Sequence, residues 1–161
     1  MIVKTQAENI FDTEAKHIVF AINSEGYNDS GFAGVVAKRY WSELLYFGNN
    51  EIGSVYSKTV GDKTFHAIVW HSLKKGWKNQ KEVIRECFDK IPSNGELVSS
   101  IAIGTGLIGQ MSGADFRQIL CGMYESKQNI ILYADLSLSA IKDIYNEEIG
   151  FSKKKSDDLK N

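Results

Sequence analysis

The sequence predicts an α/β fold, a three-layer α/β/α sandwich with a mixed central sheet. Nearly continuous apolar segments at residues 15–23, 101–103 and 130–133 alternate with segments of helical periodicity. Apolar runs of this kind are typical of parallel strands that are covered on both faces. We therefore expect the inner strands of the sheet to be neighbours and to comprise residues 18–23, 67–70, 101–103 and 130–133.

A hairpin in the middle of the chain makes the predicted sheet mixed. Residues 51–56 and 64–71 flank the sequence Val60-Gly61-Asp62-Lys63, and Gly-Asp is a turn signal. The opening residues Ile2 and Val3 predict a short edge strand.

Four segments predict helices. Residues 35–45 follow the first glycine-rich loop, and residues 81–91 are amphipathic and stop at Pro92, the only proline. A third helix begins near residue 112, and residues 138–149 predict a short final helix. We expect residues 152–161 to form a charged, frayed tail.

Length and composition favour one domain over residues 1–151. The 161 residues are 43% hydrophobic, which is enough for one core and short for two. Because 19 basic and 20 acidic residues give a net charge of -1, there is no overall attraction for nucleic acid or an anionic membrane. We expect a monomer.

The cysteine pattern indicates a reducing compartment. Cys87 and Cys121 lie far apart without C-x-x-C spacing, so buried free thiols are favoured over a disulfide or a metal pair. No apolar run of 18 residues and no leader pattern is present. We therefore predict a soluble, cytoplasmic protein.

Two glycine-rich loops, each after a buried strand, predict the binding site. Residues 24–34 follow the first strand, and residues 104–109 (GTGLIG) follow the strand at residues 101–103. Glycines let a backbone approach a ligand closely and direct N–H groups at a phosphate. Both loops lie at the carboxyl ends of parallel strands, so we expect a nucleotide or sugar-phosphate ligand there.

Other chemistries find less support. The second loop matches G-x-G-x-x-G, with Asp135 as a possible ribose-binding acid, but only 26 residues follow Asp135, too few for a nicotinamide-binding fold. No set of histidines and carboxylates has metal-ligand spacing, so we expect no metal and no cofactor. A G-x-S-x-G nucleophile motif is also absent.

Three segments in this order resemble a macro domain: AKHIVFAINSEGYNDSGFAGVVAKRYW, EIGSVYSKTVGDKTFHAIVWHS, and SIAIGTGLIGQMSGADFRQIL with NIILY. More narrowly, they resemble the small ADP-ribose 1''-phosphate phosphatases and terminal ADP-ribose hydrolases, which include bacteriophage members. The resemblance implies binding of ADP-ribose, free or on a macromolecule, and hydrolysis of its distal-ribose substituent, in the host cytoplasm if the protein is viral. The alternative is a module or sponge that binds without chemistry.

The resemblance also implies ligand contacts. Asn23, Gly31 and Gly34 would meet the distal ribose, and Asn9 stands where the family's adenine-binding acid is expected. Tyr133 is a candidate to stack on a base, or else a core aromatic residue. The remaining implied contacts are Ile10, Ala21 and Phe32, and the diphosphate loop comprises Gly104, Thr105, Gly106, Leu107, Ile108 and Gly109.

Three residues are candidates for catalysis, each with a structural alternative. Asp115 matches the family's catalytic acid if residues 110–113 bulge outward, but an acid there also suits the start of a helix. Lys74 lies where the family's lysine is expected, or in a solvated loop. His71 is a candidate general base or ligand contact, or else a loop residue without a role. His17 and His66 are expected to be hydrogen-bonded structural residues.

Overall fold

A computed structural model describes residues 1–104 and 112–160, with side chains described up to residue 150. The strands are β1 (Ile2–Lys4), β2 (His17–Asn23), β3 (Val55–Val60), β4 (Lys63–His71), β5 (Leu97–Ile101) and β6 (Asn129–Tyr133). The helices are α1 (Gly31–Arg39), α2 (Gln80–Asp89), α3 (Gly113–Glu125) and α4 (Leu138–Lys160), with 3-10 helices at Ile10–Asp12 and Ser42–Leu45.

The strands form one mixed sheet with the order β1-β6-β5-β2-β4-β3. β3 and β4 form the expected antiparallel hairpin, whereas the other neighbours are parallel. The prediction that the four apolar strands are inner neighbours is therefore confirmed, and so is the short edge strand at the start of the chain.

Helices cover both faces of the sheet. On one face, α2, α3 and α4 enclose a core that includes Ile84, Phe88 and Leu120. On the other, α1 and the two 3-10 helices enclose a core that includes Phe20 and Phe65. The predicted three-layer α/β/α sandwich is confirmed. No helix in the described part of the chain combines the length and apolarity needed to cross a bilayer.

The strand predicted at residues 101–103 is displaced. β5 begins at Leu97 and ends at Ile101, so it contains Ser99 and Ser100, which are both fully buried. The hydroxyl group of Ser99 lies 2.5 Å from that of Thr13, which gives the serine a partner inside the protein. Because buried polar groups are tolerated when they are hydrogen-bonded, the strand runs through residues that a purely apolar pattern leaves out.

Two helices differ from their predicted ranges. α1 begins at Gly31 rather than residue 35 and ends at Arg39, and a 3-10 helix follows in place of its predicted second half. α4 continues to Lys160, well past residue 149. Residues 151–160 contain no glycine or proline that would end a helix, and α4 continues through this charged segment.

A chain of hydrogen bonds crosses the sheet near the amino ends of β2 and β4. Nδ1 of His66 lies 2.6 Å from the hydroxyl oxygen of Ser57, and Nε2 of His66 lies 2.8 Å from Nδ1 of His17. Nε2 of His17 lies 3.5 Å from a carboxylate oxygen of Glu96. The prediction that His17 and His66 are hydrogen-bonded is confirmed, and we call this set the histidine chain.

Candidate ligand-binding cleft

A cleft of about 720 Å³ opens at the carboxyl ends of the parallel strands. This edge is where open α/β sheets bind their ligands, and the volume suits one nucleotide-sized molecule. The predicted site residues that line it are Asn9, Ile10, Ala21, Asn23, Gly31, Phe32, His71, Gly104 and Tyr133.

The N-terminus of α1 faces this cleft. Ser30, Gly31 and Phe32 line the wall, and the side chain of the N-cap Ser30 makes no capping hydrogen bond. The first turn of α1 also contains no acidic residue. Because the first N–H groups of a helix need partners from outside it and carry partial positive charge, this arrangement suits an anion.

Gly31 allows an anion to approach the N-terminus of α1. Its φ of +62° lies in the left-handed region, where a residue with a side chain would be strained. Gly34, a predicted ligand contact, is not among the residues that line the cleft. A Cβ at Gly34 would lie 2.8 Å from the backbone carbonyl carbon and oxygen of Asp29, so this glycine lets α1 pack against the preceding turn.

The loop before α1 is held in place by two buried asparagines. The side chain of Asn23 donates to the carbonyl oxygen of Tyr27 at 2.7 Å and accepts from the N–H of Tyr27 at 3.1 Å. Asn28, which is 3% exposed, donates to the carbonyl oxygen of Leu44. Asn23 lines the cleft, but its amide also closes the loop that carries Tyr27, Asn28 and Asp29.

One end of the cleft is apolar. The ring of Phe11 stacks on that of Phe32, with centroids 5.3 Å apart and planes inclined by 11°. Asn9 accepts a hydrogen bond from the N–H of Phe11 and so caps the 3-10 helix that presents Ile10 and Phe11 to the cleft. A flat, apolar ligand group such as a nucleobase would suit this end.

His71 ends β4 at the wall of the cleft. Its side chain is only 7% exposed, and its Nδ1 is buried without a hydrogen-bond partner among the described residues. Burial lowers the pKa of this imidazole, while the nearby Glu25 carboxylate acts in the opposite direction. His71 is therefore a neutral group at pH 7, able to accept a proton or a hydrogen bond.

Glu25 fixes the turn that follows His71. Burial opposes its ionisation, but hydrogen bonds from the Ser72 hydroxyl, the Leu73 N–H, the Ser24 hydroxyl and the Lys74 N–H lower its pKa to about 2. The bond from the Ser72 hydroxyl is 2.5 Å long, and that from the Leu73 N–H is 2.8 Å long. Lys74 is exposed and does not line the cleft, so its position fits the solvated-loop alternative.

Asp115 lies in the first turn of α3 and does not line the described cleft. Its carboxylate accepts from the hydroxyl of Ser112, and the Ser112 hydroxyl oxygen in turn accepts from the Asp115 N–H. The side chain of Gln80 also bonds to Asp115. Burial raises the pKa of Asp115, but hydrogen bonds from Ser112, Trp77 and Gln80 outweigh it and lower the pKa overall. These contacts match the helix-start alternative.

Two further sequence candidates have other positions. Asp135, the possible ribose acid, accepts from the hydroxyl of Thr5 and the N–H of Gln6, and it does not line the cleft. Most of the second glycine loop, comprising Thr105, Gly106, Leu107, Ile108 and Gly109, lies outside the described residues. Within the described residues, no group of three histidine, cysteine or acidic side chains could hold a metal ion.

Several lining residues were missed by the sequence interpretation. Tyr27, Asn28, Asp29 and Phe11 line the cleft, yet their sequence neighbourhood only indicated a loop. The Asn-Asp-Ser run before Gly31 was the available signal, because Asn, Asp and Ser favour helix starts and tight turns.

Comparison with solved structures shows the macrodomain fold. The macrodomain of Mycobacterium tuberculosis DarG matches with a TM-score of 0.62 at 14% identity, over 84% of this chain and 99% of that chain. The Oceanobacillus iheyensis macrodomain with ADP matches with a TM-score of 0.61 at 15% identity, over 95% and 91% of the two chains. A mutant of that protein is solved with ADPR.

An alphavirus P23pro-zbd structure also matches, with a TM-score of 0.60 at 15% identity. The match covers 94% of this chain but 24% of the alphavirus chain, so this chain spans about a quarter of that protein. No protein-family model and no curated protein matches the sequence.

Proposed function

We propose that this macrodomain-fold protein binds ADP-ribose or a derivative, free or attached to a macromolecule, in the cleft at the carboxyl edge of its sheet. The observation that carries the proposal is the open N-terminus of α1, which faces the same cleft as Gly104, the first residue of the second glycine loop. Structural neighbours with ADP and ADPR support the choice of ligand.

The charge of the wall supports recognition of phosphate by backbone groups. Among the described residues, no lysine or arginine lines the cleft, whereas the acidic residues Glu8 and Asp29 do. Residues 105–111 (TGLIGQM) contain no basic residue either. A diphosphate bound here would therefore be neutralised by N–H groups and the α1 dipole rather than by side-chain cations.

The rest of the ligand would extend along the cleft from the N-terminus of α1. The stacked rings of Phe11 and Phe32, with Ile10, offer an apolar surface for the base. Asn23, His71 and Gly104 offer a polar surface for the distal ribose. Asn9 caps the Phe11 N–H and lines the cleft, so an amide takes the place of the acid expected near adenine.

The binding proposal is tested by calorimetry with ADP-ribose, ADP, AMP and ribose 5-phosphate. We expect ADP-ribose to bind more tightly than either half of the molecule, because both ends of the cleft are then filled. Equal affinity for AMP and ADP-ribose would show that the distal ribose does not contribute to binding. The absence of any binding would reject the proposal.

A second function, hydrolysis of a substituent on the distal ribose, is favoured by one observation. The imidazole of His71 lines the cleft and has a nitrogen without a partner among the described residues, so it can exchange a proton with a ligand in the cleft. Asp115 is the alternative group for this role, although its hydrogen bonds hold it at the start of α3.

Turnover is tested with ADP-ribose 1''-phosphate and with an ADP-ribosylated protein as substrates. Loss of turnover in His71→Gln with retained ADP-ribose binding would place the chemistry at His71. Loss of turnover only in Asp115→Asn would assign the chemistry to Asp115. Binding without turnover in the parent protein would leave a binding module or sponge.

A further inference from the structure

The side chain of His71 has a nitrogen that forms no hydrogen bond with any described residue. Its Nδ1 is buried without a partner in the described part of the chain, although buried polar groups normally have one. The ring lies against Trp70, with centroids 4.6 Å apart, and both side chains line the cleft. A ligand in the cleft could supply a hydrogen-bond partner for Nδ1.

Among the described residues that line the cleft, a single side chain could become positive. Among the described lining residues the acidic groups are Glu8 and Asp29, the phenols are Tyr27 and Tyr133, and His71 is the only basic group. Glu25 lies close enough to act on His71 through space. The sequence of residues 105–111 adds no titratable side chain.

We propose that His71 is a specificity-determining residue, which takes up a proton as an anionic diphosphate ligand enters the cleft and thereby favours that ligand over an uncharged nucleoside. This inference rests on the proposed function, because it assigns the charge selectivity of the same site. Without the proton, the wall would present Glu8 and Asp29 to a ligand of like charge.

The free and the ligand-bound cleft differ in the charge that they favour on His71. In the free protein, burial lowers its pKa and keeps it neutral, against the smaller effect of Glu25. A ligand in the cleft brings the negative charge of its diphosphate to the wall that His71 lines. A nearby negative charge favours the protonated imidazole and raises its pKa. Binding therefore favours proton uptake at His71.

The test is calorimetric titration with ADP-ribose at pH 6, 7 and 8, in pairs of buffers that differ in ionisation enthalpy. The diphosphate of ADP-ribose has no group that titrates in this range, so any proton taken up comes to the protein. We expect proton uptake near pH 7 and affinity about tenfold higher at pH 6 than at pH 8. Adenosine should bind without uptake.

His71→Gln keeps an amide that can hydrogen-bond but cannot take up a proton. We expect it to bind ADP-ribose with an affinity independent of pH, and the matched variant His17→Gln, in the histidine chain, to retain the proton uptake of the parent. If His71→Gln does not fold, NMR titration of the His71 ring in the parent protein gives the same answer, since its pKa should rise on addition of ADP-ribose.

The outcomes separate this inference from the proposed function. ADP-ribose binding with no proton uptake, or with the same uptake in His71→Gln, would overturn the role of His71 while leaving the ligand assignment intact. No ADP-ribose binding at any pH would overturn both.

Discussion

His66 and His71 lie on the same strand, β4, and both are buried imidazoles, but their hydrogen bonding differs. His66 bonds to both Ser57 and His17, at the end of the sheet away from the cleft. His71 has an unpartnered Nδ1 among the described residues and lines the cleft. Burial lowers the pKa of both, so burial alone does not distinguish them. The difference indicates that a satisfied imidazole stabilises the fold, whereas an unsatisfied one is available to a ligand.

Removal of the satisfied imidazole should have the largest effect on stability. His66→Ala leaves Ser57 and His17 without their partner and opens a cavity at a fully buried position, so we expect a loss of about 2–4 kcal/mol in the free energy of unfolding. His71→Gln should lose less than about 1 kcal/mol, because no hydrogen bond from the His71 ring to a described residue is broken. Urea unfolding of both variants measures the two losses. Equal losses of unfolding free energy would contradict the distinction between the two histidines.

The same imidazole makes stability depend on pH. Burial, followed by the nearby His17, lowers the pKa of His66 from 6.5 to about 4. Between these values the unfolded chain binds a proton that the folded chain does not, so stability is full above about pH 6.5 and falls as the pH drops towards 4. At about 1.4 kcal/mol per pKa unit, the loss is at most about 3 kcal/mol.

This dependence is measured by urea unfolding of the parent protein and of His66→Gln at pH 7.5 and pH 5. The parent should lose more stability than the variant over this interval. An identical loss in both would show that other groups, such as the carboxylates, dominate the acid sensitivity.

A matched pair of glycines compares the two ends of the sheet directly. Gly31 at the cleft and Gly61 in the β3–β4 turn have φ values of +62° and +63°, and neither has an atom within 4 Å of an added Cβ. Gly31→Ala and Gly61→Ala should therefore each cost about 1–2 kcal/mol through backbone strain. Only Gly31→Ala should also weaken ADP-ribose binding in calorimetry; equal affinities would exclude α1 from the anion site.

The smallest effect is expected at Asp115. Asp115→Ala removes the acceptor that Ser112 and Gln80 use at the start of α3, so thermal unfolding should show a loss of about 1 kcal/mol. ADP-ribose affinity should not change, because Asp115 does not line the described cleft. A change in affinity would show that this carboxylate reaches the ligand.

Much of this architecture follows from local sequence patterns. The apolar runs identified the inner strands and the Gly-Asp turn identified the hairpin, because burial on both faces and hairpin turns leave short-range signals. The start of β5 was missed because the partner of its buried Ser99 is Thr13, which is distant in sequence. Similarly, α1 was predicted to begin too late, since its first residue is a glycine with a positive φ, which looks like part of a loop.

The lining of the candidate cleft was only partly predictable for a related reason. Resemblance and glycine spacing identified Asn9, Asn23, Gly31 and Gly104 as lining residues, but whether a side chain faces the cleft depends on packing between distant elements. Asp115 is oriented by Gln80 and Trp77, which belong to a different segment of the chain. No local pattern could show that.

The most direct test of the central claim is calorimetric titration of the protein with ADP-ribose at pH 7, with Gly31→Ala and Gly61→Ala alongside the parent. The account predicts one bound molecule per chain, with affinity reduced in Gly31→Ala and unchanged in Gly61→Ala. The absence of binding by the folded parent at ligand concentrations up to about 1 mM would contradict it.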